Sequence, residues 1–299
     1  MNTLRLMAGR PYLLLTLTAL IWAGNTIAGK LAVGHISPFL LTSMRWGLAL
    51  VIVLVAAAPA LRRDWPAIVR HWPFLAALAA MGFTLFNSLF YVALHHTSAI
   101  HAAIEQAAMP LFVFALNFVI FRIPTSWLQA TGYGLTLMGV VLTVTGGDPS
   151  VIAGGNLNIG DLYMIVAVIA YALFSVLLGR KPAMHWLSFI AVLVAFAFLT
   201  SIPGALWELA QGEAVWPDGQ GWAVALYTAL LPSLLAQAMW IRGVEIIGSN
   251  RGGVFINLVP IFAVAMAVVI LGEAFRPYHA AAMVLVIFGL WLAQRHRRQ

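Results

Sequence analysis

The 299-residue chain has no cysteine and little charge. The first absence excludes disulfides, thiol catalysis and cysteine-bound metals. The second says more. Only 8% of the residues are charged, against roughly a quarter in soluble domains, while 63% are hydrophobic. Catalytic signatures are missing too. There is no HExxH for zinc, and no serine stands in a nucleophile context. Gly147-Asp148, which superficially resembles an aspartyl motif, sits in a turn. No nucleotide-binding motif supplies an energy source, and no repeated pore motif supports a channel. An intramembrane enzyme is therefore the remote alternative, and no cofactor or metal is expected.

What is present is apolar sequence in runs of membrane length. A helix of about 20 mostly apolar residues crosses a bilayer. Ten such runs are predicted, over 11–33, 38–58, 73–94, 98–121, 126–146, 157–178, 186–209, 221–242, 249–272 and 277–293. Arg5 and Arg10 ahead of the first run imitate a signal peptide. Trp22, Asn25 and Lys30, and the many runs behind, make it the first span instead. The Gly-rich stretch from Gly146 to Gly155 lacks a GK[ST] ending and reads as a linker between halves.

The stretch from Trp72 to Thr143 is restated from Trp222 to Ala293, 150 positions later and without a gap. Pro110 meets Pro260, Gly139 meets Gly289, Asn87 faces Gln237 and Phe90 faces Trp240. The predicted domains are thus two five-span repeats, residues 1–148 and 149–299. An odd number of spans per repeat inverts one copy relative to the other. Inverted repeats are a common transporter architecture, with the substrate near the midplane and alternating access between the halves. With both termini cytoplasmic, Arg5, Arg10, Arg62, Arg63, Arg70, Arg122, Arg180, Lys181, Arg242, Arg251, Arg295, Arg297 and Arg298 fall inside. Arg276 falls outside, and Glu208, Glu213 and Asp218 lie in an outer loop. The formal charge of +7 is therefore a topology signal. It implies contact with lipid headgroups and none with nucleic acid.

Short motifs in order carry a family resemblance. They are Trp22-Ala23-Gly24-Asn25 with Lys30, Pro38-Phe39 with Arg45-Trp46, Tyr91-Val92-Ala93-Leu94 through Ser98, Ala102 and Pro110, and Pro260 with Leu271-Gly272-Glu273. The chain resembles the EamA family of the drug/metabolite transporter superfamily over nearly its whole length. Phe121-Arg122-Ile123-Pro124 departs from the pattern where the family usually places an acid. Within the family the likeness is to bacterial aromatic amino acid exporters. It implies a multi-pass protein of the bacterial inner membrane that exports aromatic and other bulky neutral amino acids, with other metabolites or organic cations as the alternative. Oligomeric state is left open, a monomer being compatible.

A site for such zwitterions needs apolar and aromatic walls plus a few polar groups. Phe86, Asn87, Phe90, Tyr91, His101, Glu105, Met109, Gln237, Trp240, Phe255 and Asn257 offer these, and Trp22, Asn25 and Tyr171 add to them. Glu105 leads, because an ionisable group inside a bilayer usually faces a cavity or a partner. Pairing with His101 or Arg45 is its structural alternative. Arg45 reads as an interhelical tether, Lys30 as a snorkelling residue, and Glu273 with Arg276 as an end-of-helix feature. The amides could equally be interhelical hydrogen-bond glue. Ser98 with Ala102, and Gly248 with Gly252, are predicted to allow close helix packing, and Pro110 and Pro260 to permit bending.

Overall fold

The computed structural model describes residues 10–122, 126–148, 150–155 and 157–295. Arg5, Ile123, Pro124, Arg297 and Arg298 lie outside them. Among the described residues there is helix and no strand. The main helices are α1 (Pro11–Leu31), α2 (Pro38–His96), α3 (Ala99–Phe121), α4 (Trp127–Val144), α5 (Ile159–Arg180), α6 (Trp186–Gln211), α7 (Gly219–Ile247), α8 (Gly253–Leu271) and α9 (Pro277–Arg295). Eight of them are long and apolar enough to cross a membrane, and Pro277–Ala293 within α9 is a shorter apolar helix. This is a multi-pass membrane protein.

Helix α2 takes the place of two predicted spans and the loop between them. Its 59 residues would reach about 88 Å if straight. They do not. Arg45 near its start donates from Nη1 to Asn87 Oδ1 (2.7 Å) and to the Tyr91 hydroxyl (2.6 Å) near its far end. In a straight helix Arg45 and Asn87 would stand about 63 Å apart. The helical path therefore doubles back. Pro59, Pro66 and Pro73 lie within it; each removes a backbone donor and crowds the preceding turn, which is how a helix is bent.

The helices pack as two copies of one plan. The first arm of α2 lies on α6, and α4 lies on α9. The second arm of α2 and the Met109–Phe121 part of α3 both pack on α5, just as α7 and α8 both pack on α1. Exchanging every helix for its counterpart leaves these pairings unchanged. Local irregularities are repeated as well. A π-helical turn occupies Ala80–Leu85 and another Leu231–Leu235. Helix α3 breaks at Ala108, just before Pro110, and α8 changes from 3-10 to α-helix at Leu258, just before Pro260. Arg122 ends its helix in the left-handed region (φ 51°), as Gly272 does 150 positions on (φ 67°). Glycine meets that requirement without strain, which is why it stands in Leu271-Gly272-Glu273.

One close helix crossing lies away from the predicted small pairs. A Cβ on Gly132 would sit 2.5 Å from Gly289 O, and one on Gly289 2.4 Å from Gly132 O, so α4 and α9 cross backbone to backbone. Gly248, by contrast, has open space and φ +85°, and Gly252 faces Val244 of its own half. Ser98 is a helix cap, accepting from His101 N at 3.0 Å, while Ala102 is fully buried.

Three acids fasten helix ends across the repeats. Glu208 is not a solvated loop residue. It is 4% exposed and accepts from Ser37 Oγ (2.7 Å), Phe39 N (3.0 Å) and Leu40 N (2.9 Å) at the start of α2. Asp64 accepts from His185 N (2.8 Å) just ahead of α6. Glu273 accepts from Ala99 N (2.7 Å) and Ile100 N (3.0 Å), so the acid of the Leu-Gly-Glu motif caps α3. Carboxylates suit these places because the first amides of a helix lack partners and carry its positive end.

Candidate functional site

A cavity of about 990 Å³ opens between the two repeats. Its walls are aromatic. Trp22 meets Trp240 at 5.4 Å, Trp46 stacks on Phe83 at 4.8 Å, Phe86 meets Tyr171 at 4.9 Å, and Phe114 stacks on Tyr133 at 4.2 Å. The π turns shape this wall. Gly82, in the first, leaves room for the Phe174 ring, which a Cβ would meet at 2.4 Å. Pro232, in the second, accepts from Trp22 Nε1 (3.3 Å). Such turns recur at functional sites because they free backbone groups and widen the helix.

Arg45 lines the cavity and is 5% exposed. Besides Asn87 and Tyr91, its Nη1 reaches Asn25 Oδ1 (3.0 Å), and Nε donates to Ser233 Oγ (2.7 Å). The acceptors are themselves held. Asn87 Nδ2 donates to Phe83 O (2.6 Å), Ser233 Oγ to Thr228 O (2.8 Å), and Tyr91 hydroxyl to Asn25 Oδ1 (3.1 Å). Arg45 Cζ also lies 4.8 Å over the Trp46 ring. Nη2 has no hydrogen-bond partner among the described residues, so the guanidinium is fixed by two of its three nitrogens. All of these acceptors are neutral. The cluster therefore holds an uncompensated positive charge, and the described lining contributes one other charged residue, Lys181, also a cation.

The cavity runs from Arg45 toward Phe118, Gln129, Lys181 and Trp186, all among its lining residues. At the opposite end Ile36, Leu41, Leu94, Ile100 and Ile104 are at most 1% exposed and form one packed cluster. Beyond that seal lies a smaller pocket of about 390 Å³, lined by Thr97, His101, Glu273, Arg276, Tyr278 and His279 among others.

Within the seal stands a second polar group, of opposite character. One ligating atom from each of His101, Glu105 and Asp161 lies within 4.8 Å of the others. Asp161 and Glu105 are each 1% exposed. Asp161 Oδ1 accepts from Thr97 Oγ1, and Oδ2 lies 3.5 Å from His101 Nδ1. His101 Nε2 is 3.1 Å from the Tyr278 hydroxyl. Both oxygens of Glu105, Asp161 Oδ2 and His101 Nδ1 are buried without a hydrogen bond. Gly160 makes the arrangement possible. A Cβ there would lie 2.8 Å from Thr97 N and 2.9 Å from Ala93 O, so the start of α5 rests directly on the end of α2.

Of the predicted substrate residues, Trp22, Asn25, Phe86, Asn87, Met109, Tyr171, Gln237, Trp240 and Asn257 line the large cavity, with Pro110 and Pro260. Phe90 and Tyr91 pack behind it, 1% exposed, Tyr91 as a support for Arg45. Phe255 packs on Tyr12 at 6.0 Å, away from the cavity. His101 and Glu105 belong to the seal. Arg45, read as a tether, is a tether that also lines the site. An arginine inside an apolar span was the signal for it. Asp161 was overlooked: it stands in a second Gly-Asp pair, early in the sixth predicted span, where nothing in the spacing set it apart.

The chain is similar to known proteins over nearly its full length. Uncharacterized transporter YetK of Bacillus subtilis (strain 168) is 26% identical over 290 residues, covering 96% of this chain and 88% of that protein. An uncharacterized transporter of Archaeoglobus fulgidus is 29% identical over 297 residues, covering 98% and 100%. A crystal structure with 20% identity superposes at a TM-score of 0.64 over 97% of this chain and 99% of its own, and shows the fold. The sequence profile of the EamA-like transporter family matches twice, over residues 9–145 and 158–294. Two matches to one profile, together with the paired helix plan, place both halves in one lineage: the chain belongs to the EamA-like transporter family.

Proposed function

We propose that this protein is a secondary transporter, not an enzyme, that exports small carboxylates with aromatic or bulky apolar bodies, aromatic amino acids first among them. The single observation that carries this is Arg45, a cation held by neutral groups in the wall of an aromatic cavity. A carboxylate meets its remaining nitrogen, and the tryptophans and phenylalanines receive the side chain. An organic cation would enter a cavity whose described charges, Arg45 and Lys181, both repel it. The same observation favours a second reading. No acid lines the described cavity to receive an ammonium, so aromatic carboxylates without an amino group fit as well as the zwitterions.

In this reading the chain crosses the bacterial inner membrane ten times, α2 accounting for two crossings, and the two repeats are inverted. Arg122, Arg180 and Lys181 mark the cytoplasmic end, where Arg180 lies 4.7 Å over Phe121. The cavity is then open to the cytoplasm and sealed outside, the loading state of an exporter that works by alternating access. Counterflow into liposomes containing only this protein tests it, with labelled phenylalanine outside. Unlabelled phenylalanine, tryptophan or 3-phenylpropanoate inside drives tracer uptake, and phenethylamine, which lacks the carboxylate, does not. Uptake driven by phenethylamine and not by 3-phenylpropanoate would overturn the assignment.

A further inference from the structure

Two buried carboxyl groups without a cation raise the question of what neutralises them. The groups facing them are identifiable element by element. From α1 comes Lys30, whose ammonium is bound to Leu94 O and Thr97 O, each at 2.7 Å. The end of α2 brings His95 and His96, and α5 brings Tyr163. Glu273, following α8, is engaged on the amides of Ala99 and Ile100. Arg276, Tyr278 and His279 enter from the start of α9, and α4 has Tyr133 as its one titratable residue. Among the described residues none of the lysines or arginines forms an ion pair with Glu105 or Asp161. Two negative charges this close, each 1% exposed, repel one another and lack solvation, so both cannot be ionised together at tolerable cost.

We propose that His101, Glu105 and Asp161 form a proton-binding site inside the closed gate, and that it couples substrate movement to a proton. The coupling half of this statement rests on the transporter reading above; the binding half does not. A proton arriving from water in the outer pocket reaches a carboxylate oxygen through His101, which lines that pocket and stands 3.5 Å from Asp161. Binding one proton lowers the negative charge of the carboxyl pair by one and relieves the repulsion. His101 is held for this relay by Tyr278 on its other nitrogen. The exit lies on the same helix. Ala103, Gln106 and Ala107 line the substrate cavity, while Glu105 beside them is buried. A modest movement of α3, which breaks at Ala108, transfers Glu105 from the seal to the cavity. A proton fits these facts better than a metal ion, because at 1% exposure the carboxyls offer no entrance to a hydrated ion.

The test is infrared difference spectroscopy of the purified full chain in lipid nanodiscs as pH is raised. The expected result is a protonated-carboxyl band that declines with pH, is lost in Glu105→Gln, and is shifted in Asp161→Asn. The band persists in Glu245→Gln, which neutralises an exposed acid paired with Arg242 at 3.3 Å. If Glu105→Gln does not fold, Asp161→Asn and its shift decide the matter alone. A wild-type spectrum without a titrating band, or a band indifferent to both variants, overturns the proposal. So does stoichiometric Zn²⁺ or Mn²⁺ binding by calorimetry that both variants abolish, which would make the trio a metal site. The spectra need no substrate, so they read the site even where the substrate assignment fails. Phenylalanine counterflow without the band leaves the carrier and removes the proton site.

Discussion

Two buried ionic groups lie on either side of the second arm of α2, and they are built in opposite ways. Around Arg45, two nitrogens of one cation are met by Asn25, Asn87, Tyr91 and Ser233, and those acceptors are themselves held. Around Glu105 and Asp161, three of the four carboxyl oxygens accept no hydrogen bond, and His101 at 3.5 Å from Asp161 is the nearest basic group. The first is held on two nitrogens and leaves one, Nη2, which in the proposed function receives the substrate carboxylate. The second is incomplete until something positive arrives. A buried charge with full hydrogen bonding is a fixed element, whereas one without it is a group whose charge state has to change.

The largest way to break this comparison is Arg45→Met. Removing the cation leaves four neutral polar groups facing one another without their donor, a loss of about 1–3 kcal/mol for each one left unsatisfied. Thermal unfolding in detergent should show the drop, and phenylalanine counterflow should vanish. Arg45→Lys sharpens the point. It keeps the charge but not the planar fork, so it should restore much of the stability while raising KM for carboxylate substrates about tenfold or more. Equal transport by the Met variant would mean that Arg45 only holds helices together.

Glu105→Gln should move stability the other way. Replacing an unpartnered buried acid by a neutral amide removes a desolvation cost, so the unfolding midpoint at neutral pH should hold or rise, equivalent to about 1–2 kcal/mol. A fall comparable to that of Arg45→Met would show that Glu105 has a stabilising partner and that the two clusters are not opposites.

How much of this contrast was legible beforehand follows from what sequence spacing can encode. The repeat, the apolar runs and the break points at Pro110 and Pro260 lie along the chain, and the helices obey them. Glu105 and Arg45 drew attention because ionisable residues in apolar runs are rare. Their pairings did not: Asn25 and Asn87 are read as substrate or glue residues, Ser233 is not singled out, and they reach Arg45 from positions 20, 42 and 188 residues away. Asp161 meets Thr97 across 64 residues, and Glu208 reaches Ser37 across 171. Only the fold brings such groups together. Small residues raise a related difficulty: Gly248 answers to backbone dihedral, whereas the crossing at Gly132 and Gly289 includes Thr136 and Ala293, each four residues on, a spacing that recurs elsewhere in the chain and does not by itself say which helices meet.

Between the two extremes stands Glu273, a partly exposed acid satisfied by backbone. Its two amide hydrogen bonds predict that Glu273→Ala lowers stability by about 1–2 kcal/mol, the usual size of a lost charged cap. Because it positions the start of α3, where His101 and Glu105 follow, hydrogen exchange should rise first at Ala99 and Ile100. Exchange unchanged there would mean that α3 is held in place by its packing and not by the cap.

The smallest effect belongs to Asp218, and its pH dependence is the control for the buried acids. Asp218 accepts from Gly221 N (2.9 Å) and contacts His35 Nδ1 (2.7 Å) in the turn before α7. The Gly221 amide first, and His35 after it, hold its carboxyl below the usual carboxylate range. A group whose folded-state value is depressed contributes stability above its unfolded value and loses it as pH falls through the folded one. Asp218→Asn should therefore slightly lower the unfolding midpoint at neutral pH and flatten the decline on strong acidification. Solvent screens the pair, so the shift should be near the limit of detection. Because this acid is already ionised throughout the neutral range, any pH-dependent change seen there must come from elsewhere. If Asp218→Asn removed the pH response assigned to the gate, the exposed turn, and not the unpartnered carboxyls, would be the titrating element.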